Sequence, residues 1–199
     1  NIEVINDRVL SVSAAEGSVA LGSGTTISYD RLLVATGSTP ISPPIEGMDL
    51  PGVHPCWTLA DYRNIAARAD KGAKVVLMGA GFIGCIILEA LAARGVDLTV
   101  VELENRMVPR MMNEASGGLI KRWCEQRGVR VLTSTRVEGI TSGNPLAVSL
   151  SNGETLVANL VISATGVAPN TQFLEGSGVD IEQGILVNER LESSVANLF

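Results

Sequence analysis

Apolar and polar positions along the chain fall into short runs typical of strands and longer runs with helical spacing. The clearest order of elements lies in the middle, where an apolar run at residues 75–78 precedes a helical pattern over residues 82–94. A second apolar run follows at residues 98–101. Apolar residues recur every four positions within the helical pattern and predict a buried face formed by Ile83, Ile87 and Leu91. Strand, helix and strand in this order predict a parallel pair joined by a right-handed crossover.

The same patterns predict further elements on both sides of this unit. We expect short strands at residues 2–5, 9–12, 18–21, 25–29 and 32–35, the last of them buried. A group of prolines then marks an extended linker: Pro40, Pro43, Pro44, Pro51 and Pro55. Helices are predicted at residues 59–69, N-capped by Thr58, and at residues 114–127, ended by Gly128. A third parallel strand is expected at residues 129–132 and a β-meander over residues 136–163.

A short segment of the sequence occurs twice in the chain. Residues 33–40 (LVATGSTP) match residues 162–169 (ISATGVAP), each copy being a predicted strand that ends in Thr-Gly. The two copies bracket the central unit, which indicates that the chain enters an inserted domain after the first copy and leaves it after the second. The alternative is that two unrelated strand ends share a similar composition.

A glycine pattern joins the central strand to the central helix. Gly79-x-Gly81-x-x-Gly84 follows the first apolar run and opens the helical pattern, and Glu102 ends the next predicted strand. In dinucleotide-binding proteins the first glycine allows a tight turn and the second lets the backbone approach a pyrophosphate. The third allows close packing of helix on strand, and an acid in the position of Glu102 bonds the adenosine ribose. The pattern therefore predicts a dinucleotide site at this turn.

Composition narrows the class of protein. The chain has 199 residues, 46% of them hydrophobic and 18% charged, which is typical of a folded globular protein. The net charge is −6 and basic residues are scattered, which argues against a nucleic-acid surface. The apolar stretch at residues 75–88 is too short and too rich in glycine for a membrane span, so no membrane association is expected. The chain begins with Asn1 and shows no signal peptide, which suggests a fragment.

Cysteine and histidine offer little chemistry of their own. Cys56, Cys85 and Cys124 are widely spaced, which indicates buried or incidental thiols in a reducing, cytoplasmic compartment. His54, the only histidine, lies between prolines and is expected to be a solvated loop residue. We predict no metal site and no catalytic acid–base residue.

Five segments in order resemble the pyridine nucleotide-disulfide oxidoreductase superfamily of flavoproteins. They are YDRLLVATGSTP (29–40), PGVHPCWTLAD (51–61), GAGFIG (79–84), VVELENRMVPRM (100–111) and VISATGVAPNT (161–171). Within it, the chain is most similar to NADH-dependent rubredoxin and ferredoxin reductases and to the flavoprotein part of NADH nitrite reductases. The thioredoxin-reductase branch carries a C-x-x-C in its nucleotide domain, and this chain has none.

The resemblance implies an α/β fold with a Rossmann-like parallel sheet, helices and a β-meander as the NAD(H)-binding domain, flanked by partial FAD-domain strands. Residues 38–165 are assigned to the NAD(H)-binding domain with the linker that leads into it, and residues 1–37 and 166–199 to segments of the FAD domain. In the intact protein NADH would pass hydride to FAD, and electrons would continue to a redox-protein acceptor. Segments that hold FAD in the family are missing here, so the chain alone is expected to bind NAD(H) but not FAD and to be inactive. The pattern indicates neither the acceptor nor an oligomeric state.

The resemblance also implies a set of cofactor-binding residues. The backbone around the glycine turn would hold the pyrophosphate: Gly79, Ala80, Gly81, Phe82, Ile83 and Gly84. Glu102 would bond the adenosine ribose beside Leu103, with Arg106 or Arg110 on the adenosine side, and Thr165 and Gly166 would line the nicotinamide end. Ile86 stands where many relatives place a glutamate that faces nicotinamide and flavin. Glu89 lies three positions further on and is expected to be a solvent-facing helix residue rather than a substitute for that glutamate.

Alternatives remain open at this stage. Arg106 and Arg110 could be surface loop charges, and Ile86 could pack beneath the helix. The chain could also be a non-enzymatic NAD(H)-sensing module or a nucleotide-free scaffold, although the intact glycines and Glu102 argue against a scaffold.

Overall fold

The computed structural model describes residues 2–199, and these form two compact units. The first unit comprises residues up to 39 together with residues 167–199, and the second comprises residues 40–166. In the described part of the chain no helix has the length and apolar character that crossing a bilayer requires.

The first unit contains a small antiparallel sheet. Its strands, in the order β1-β2-β3, are β1 (Val9–Ser13), β2 (Ser18–Leu21) and β3 (Thr26–Ser28). Val12, Val19 and Leu21 of this sheet are buried with Leu174 and Leu198. The next strand is β4 (Ser38–Pro40).

Two strands predicted in this unit do not form. Residues 2–5 are not a strand, and Ile2 and Val4 are 92% and 86% exposed. Leu32 makes only an isolated bridge to Leu198, and Leu33 is 71% exposed. In the described chain, residues 32–34 bond only to residues 197–199 on one side. An apolar run with a single pairing neighbour lacks the sheet that would bury it, so the buried-strand prediction for residues 32–35 is wrong.

The second unit is a parallel sheet covered by helices on one face and by a meander on the other. Its elements begin with β5 (Val53–Pro55), α1 (Leu59–Ala66), β6 (Lys74–Met78), α2 (Phe82–Ala93), β7 (Asp97–Val101) and α3 (Glu114–Glu125). They continue with β8 (Arg130–Leu132), β9 (Val137–Thr141), β10 (Leu146–Leu150), β11 (Thr155–Ala158) and β12 (Leu160–Ser163). The parallel sheet has the order β5-β12-β6-β7-β8, and the antiparallel meander has the order β11-β10-β9. Strand β13 (Val167–Pro169) belongs to the first unit and pairs with β4.

The central strand β6 shows why this layering forms. Val75 and Leu77 point into the core beneath the helices, whereas Val76 and Met78 point into the core beneath the meander. All four are at most 3% exposed. A strand with both faces covered needs a continuous apolar run rather than alternation, as its sequence has.

Two strands of the parallel sheet depart from the sequence prediction. Residues 160–163 were expected to end the meander, but β12 lies between β5 and β6 in the parallel sheet. Every residue of β12 is buried, as a central parallel strand requires. Strand β5 lies within the predicted linker, where the sheet edge accommodates Pro55.

The predicted helices are confirmed, with ends that differ by a few residues. Thr58 caps α1 through a reciprocal capping box with Asp61. His54, expected in a solvated loop, instead lies half-buried on β5, and its Nε2 has no hydrogen-bond partner among the described residues. Burial, with a smaller contribution from Arg68, lowers the pKa of His54 and favours a neutral ring.

Candidate functional site

The site lies at the carboxyl ends of three neighbouring strands of the parallel sheet. Gly79 follows β6, Glu102 follows β7, and Thr165 and Gly166 follow β12. Because β6 pairs in parallel with both other strands, these three strand ends share one edge. Ligands of open α/β sheets bind at this edge.

Two glycines of the turn are required by the protein itself. Gly79 has φ +94°, and a Cβ there would come within 2.5 Å of the Ala164 carbonyl oxygen. A Cβ on Gly84 would overlap the Gly79 carbonyl oxygen, because α2 packs directly on the turn. A side chain at either position would force the turn or the helix to move.

Gly81 is different, because nothing in the protein requires a glycine there. Its φ is −73°, and an added Cβ would meet no atom within 4 Å. The missing side chain leaves open space in front of the first turn of α2. Glycine at such a position leaves room for a ligand to approach the backbone closely.

The helix that begins at Gly81 has free backbone donors in its first turn. Gly81 is the N-cap of α2 and has no side chain to bond the helix start. Within residues 2–199 the N–H groups of Gly81, Phe82, Ile83 and Gly84 have no acceptor, while Cys85 donates to the Gly81 carbonyl. Such a helix start attracts a phosphate through both its N–H groups and the helix dipole.

Two predicted phosphate donors are already engaged. The Gly79 N–H donates to the Val101 carbonyl at 2.8 Å, and the Ala80 N–H donates to Glu102 Oε2 at 2.6 Å. The N–H groups of Gly79 and Ala80 therefore already have acceptors within the protein, and the phosphate-binding role of these two residues stays a prediction.

Glu102 links the turn to the second strand. It is 6% exposed, and its Oε1 accepts a second bond from the Glu104 N–H at 2.9 Å. Each carboxylate oxygen keeps a further lone pair that can accept a hydroxyl donor. Glu102 therefore has both a structural role in the turn and the capacity to accept ribose hydroxyls.

The loop after β7 places the remaining predicted residues of the adenosine side. The Arg106 guanidinium donates to the carbonyls of Met112 (2.8 Å) and Pro109 (3.0 Å) and to Asn105 Oδ1 (2.8 Å). Leu103 is 64% exposed and Arg110 is also exposed. Arg106 is thus neither a free surface charge nor a fully available ligand contact, since three of its five N–H groups bond its own loop.

The end of β12 has a hydrogen-bonded arrangement that the sequence did not reveal. Thr165 Oγ1 donates to the Ile41 carbonyl at 3.3 Å and lies 3.3 Å from Ser163 Oγ. The Gly166 carbonyl accepts the Ile41 N–H at 3.0 Å. These bonds hold Thr165 and Gly166 beside the Gly79 turn. Ser163 and Ile41 belong to no recognisable motif, so the sequence alone did not identify them as residues of the site.

The start of α2 presents an apolar surface. Phe82 and Ile86 are 61% and 57% exposed, so the alternative that Ile86 packs beneath the helix is wrong. Glu89 is exposed, as expected. Ile86 adds an apolar side chain and no charge to this surface.

The thiols are not activated. Cys56 and Cys124 are buried and Cys85 is partly buried, and all three are free. Burial raises the pKa of Cys85 to about 11, with smaller contributions from Cys124 and Glu102. A neutral thiol is a poor nucleophile, so these cysteines add no covalent chemistry to the site.

The chain is similar to several reductases. Rubredoxin-NAD(+) reductase of Acinetobacter baylyi is 35% identical over 185 residues, which are 89% of this chain and 47% of that protein. The NADH-dependent phenylglyoxylate dehydrogenase subunit epsilon of Aromatoleum evansii is 32% identical over 192 residues, covering 95% and 45%. The ferredoxin reductase for the CYP199A2 system from Rhodopseudomonas palustris matches with a TM-score of 0.90 at 31% identity, covering 99% and 49%.

These matches extend along the chain, which spans about half the length of each of these relatives. The sequence profile described as pyridine nucleotide-disulphide oxidoreductase matches residues 1–199, and the chain therefore belongs to this family.

Proposed function

We propose that this chain is the NADH-binding portion of a flavin-dependent oxidoreductase. In the whole protein, hydride from NADH reaches FAD, and electrons continue to an acceptor such as ferredoxin, rubredoxin or a nitrite-reducing centre. The observation that carries the proposal is the open space at Gly81, lined by unbonded N–H groups and adjacent to the buried Glu102.

The residues of this chain bind the nucleotide and orient it. The N–H groups of Gly81, Phe82, Ile83 and Gly84 receive the pyrophosphate, and the remaining lone pairs of Glu102 accept the ribose hydroxyls. Thr165 and Gly166 line the nicotinamide end at the neighbouring strand. When bound, nicotinamide and flavin supply the hydride chemistry, so the protein needs no acid or base for that transfer.

Family membership favours the enzyme over a regulatory NAD(H) sensor. The named relatives are an NADH-dependent dehydrogenase subunit and reductases of redox proteins, which supports a redox-protein acceptor for the whole protein. The cysteine pattern supports a cytoplasmic location.

The flanking segments are proposed to belong to the FAD-binding domain. Residues 1–37 and 166–199 contain no Gly-x-Gly-x-x-Gly, the feature that would supply an FAD pyrophosphate loop. We therefore expect this chain alone to purify colourless and to lack diaphorase activity. A yellow preparation with stoichiometric flavin would overturn that expectation.

Titration of the chain with NADH and NADPH tests the proposal. NADH should bind in a 1:1 complex and more tightly than NADPH, because a 2′-phosphate would face the Glu102 carboxylate and lose its hydroxyl bond. Absence of NADH binding by a folded chain would refute the proposed function. Equal or tighter NADPH binding would refute the role given to Glu102.

A further inference from the structure

We propose that Arg106 is a positioning residue of the nucleotide site. Its guanidinium holds the loop of residues 107–112 in a conformation in which the Val108 N–H fixes the carbonyl of Ala80 in the glycine turn. The inference deepens the proposed function, because it assigns Arg106 to the orientation of a phosphate donor rather than to contact with adenosine.

A chain of hydrogen bonds links Arg106 to the glycine turn, and it begins at the Arg106 guanidinium. Nε donates to the Met112 carbonyl at 2.8 Å and Nη2 to the Pro109 carbonyl at 3.0 Å. These bonds close a turn in which the N–H groups of Met111 and Met112 both donate to the Val108 carbonyl, at 3.0 and 2.9 Å. A planar guanidinium offers donors in a fixed fork, so it can set two carbonyls at once.

The connection ends at the glycine turn. The Val108 N–H donates to the Ala80 carbonyl oxygen at 2.8 Å. That carbonyl belongs to the same planar peptide as the Gly81 N–H, which has no acceptor among the described residues. Because the peptide is planar and trans, a bond that fixes the carbonyl also fixes the opposite direction of the N–H. The loop therefore aims a phosphate donor without touching the ligand.

The loop conformation is strained, so contacts from outside Val108 must stabilise it. Val108 is 7% exposed and has φ +50°, in the left-handed region that β-branched residues rarely adopt. Such strain persists only where the surrounding structure enforces it, and it is commonest at functional sites. The two carbonyl bonds of Arg106, on either side of residues 110–111, supply that enforcement.

Helix α3 supports the loop from behind. A Cβ on Gly117 would come within 2.6 Å of the Met107 carbonyl oxygen and 2.9 Å of Arg106 Cβ. The helix therefore packs directly on the backbone at residues 106–107. This close approach fixes the base from which the Arg106 side chain reaches the turn.

The first test replaces Arg106 by glutamine and measures two quantities. Arg106→Gln should accelerate hydrogen exchange at the Val108 amide in the ligand-free chain. It should also weaken NADH binding roughly tenfold, because the strain of one residue in the left-handed region corresponds to a change in affinity of about this size. Arg122→Gln removes the same charge from an exposed position on α3 and serves as the matched control. It should change neither quantity.

The second test is rescue through the strained residue. Glycine adopts φ +50° without a Cβ penalty, so Val108→Gly in the Arg106→Gln background should restore NADH affinity to within about threefold of the single Val108→Gly variant, on the same strain argument. Val108→Ala removes similar apolar surface but keeps a Cβ, so it should not rescue. A direct contact between Arg106 and adenosine could not be rescued at residue 108.

The outcomes separate this inference from the proposed function. Unchanged Val108 exchange in Arg106→Gln overturns the positioning role, whether or not NADH binds. Lost affinity without rescue by Val108→Gly also overturns it and indicates direct contact. If the wild-type chain binds no NADH, the proposed function fails and the exchange measurement alone decides the role of Arg106. If Arg106→Gln does not fold, Arg106→Lys, which keeps the charge but not the fork, replaces it under the same criteria.

Discussion

Replacing Glu102 by glutamine should destabilise the chain even when no nucleotide is present. The carboxylate is 6% exposed and accepts two backbone hydrogen bonds, from the N–H groups of Ala80 (2.6 Å) and Glu104 (2.9 Å). Glutamine has the same shape but only one acceptor oxygen. Its amide NH₂ group would therefore face one of the two N–H donors.

The size of the effect follows from these two bonds. A hydrogen bond to a charged group contributes about 1.5–3 kcal/mol, and leaving a buried donor unsatisfied costs about 1–3 kcal/mol. Allowing for the neutral bond that glutamine keeps, we expect a loss of about 2–4 kcal/mol in the free energy of unfolding. For a chain of this size that corresponds to a fall in Tm of about 5–15 °C.

Thermal melting of the ligand-free variants measures this directly. Glu104→Gln is the matched control, because Glu104 is exposed and contributes only its backbone N–H to Glu102. It should melt within about 2 °C of the wild-type chain, as surface substitutions usually do. If Glu102→Gln melted as close to wild type as this control does, the structural role of Glu102 would be refuted, and the carboxylate would serve the nucleotide alone.

Two further predictions concern the packing around the turn. Gly84→Ala should lower the free energy of unfolding by about 1–3 kcal/mol, because its methyl would overlap the Gly79 carbonyl oxygen; an unchanged urea midpoint would contradict the observed helix–turn packing. Burial raises the pKa of the Cys85 thiol from 9.0 to about 11, so the folded chain keeps a proton that the unfolded chain releases. Its contribution to stability is complete below pH 9 and is lost as pH rises towards about 11. Urea denaturation should give a lower free energy of unfolding at pH 10.5 than at pH 8, and the difference should be smaller in Cys85→Ala than in wild type. The same difference in both chains would contradict this prediction.

The glycine turn could be predicted from sequence because its constraints are local. Gly79 needs a left-handed backbone and follows β6, and Gly84 needs close packing and lies in the first turn of α2. Apolar periodicity predicts both this strand and this helix. The position of β12 could not be predicted in the same way. Its partner β6 lies more than 80 residues earlier, and pairing across that separation leaves no local pattern.

The structural roles of Arg106 and Val108 could not be predicted from the sequence either. An arginine in a polar loop reads as a surface charge or a ligand contact, whereas its acceptors here are backbone carbonyls that only the folded loop brings together. Valine at a left-handed position gives the opposite signal from the glycine that such a backbone favours. Sequence reasoning fails here at a strained position beside the proposed site, where local propensity and fold disagree.

Gly81→Ala tests the central claim, because its two possible consequences separate cleanly. An added methyl would meet no protein atom within 4 Å, and the backbone there has φ −73°, so the fold should be kept. Alanine at the N-cap should lower the free energy of unfolding by no more than about 1 kcal/mol. The methyl would occupy the space assigned to the pyrophosphate. Gly118→Ala adds the same methyl on α3, where the nearest neighbouring atom is Arg122 Nη1 at 3.8 Å, and serves as the control.

NADH titration of the wild-type chain and these two variants is the decisive measurement. A pyrophosphate site at Gly81 predicts that all three melt at similar temperatures and that wild type and Gly118→Ala bind NADH alike. It also predicts that Gly81→Ala binds NADH at least roughly tenfold more weakly, as expected when a methyl displaces a closely approaching phosphate. A folded Gly81→Ala chain that binds NADH as tightly as wild type would contradict it.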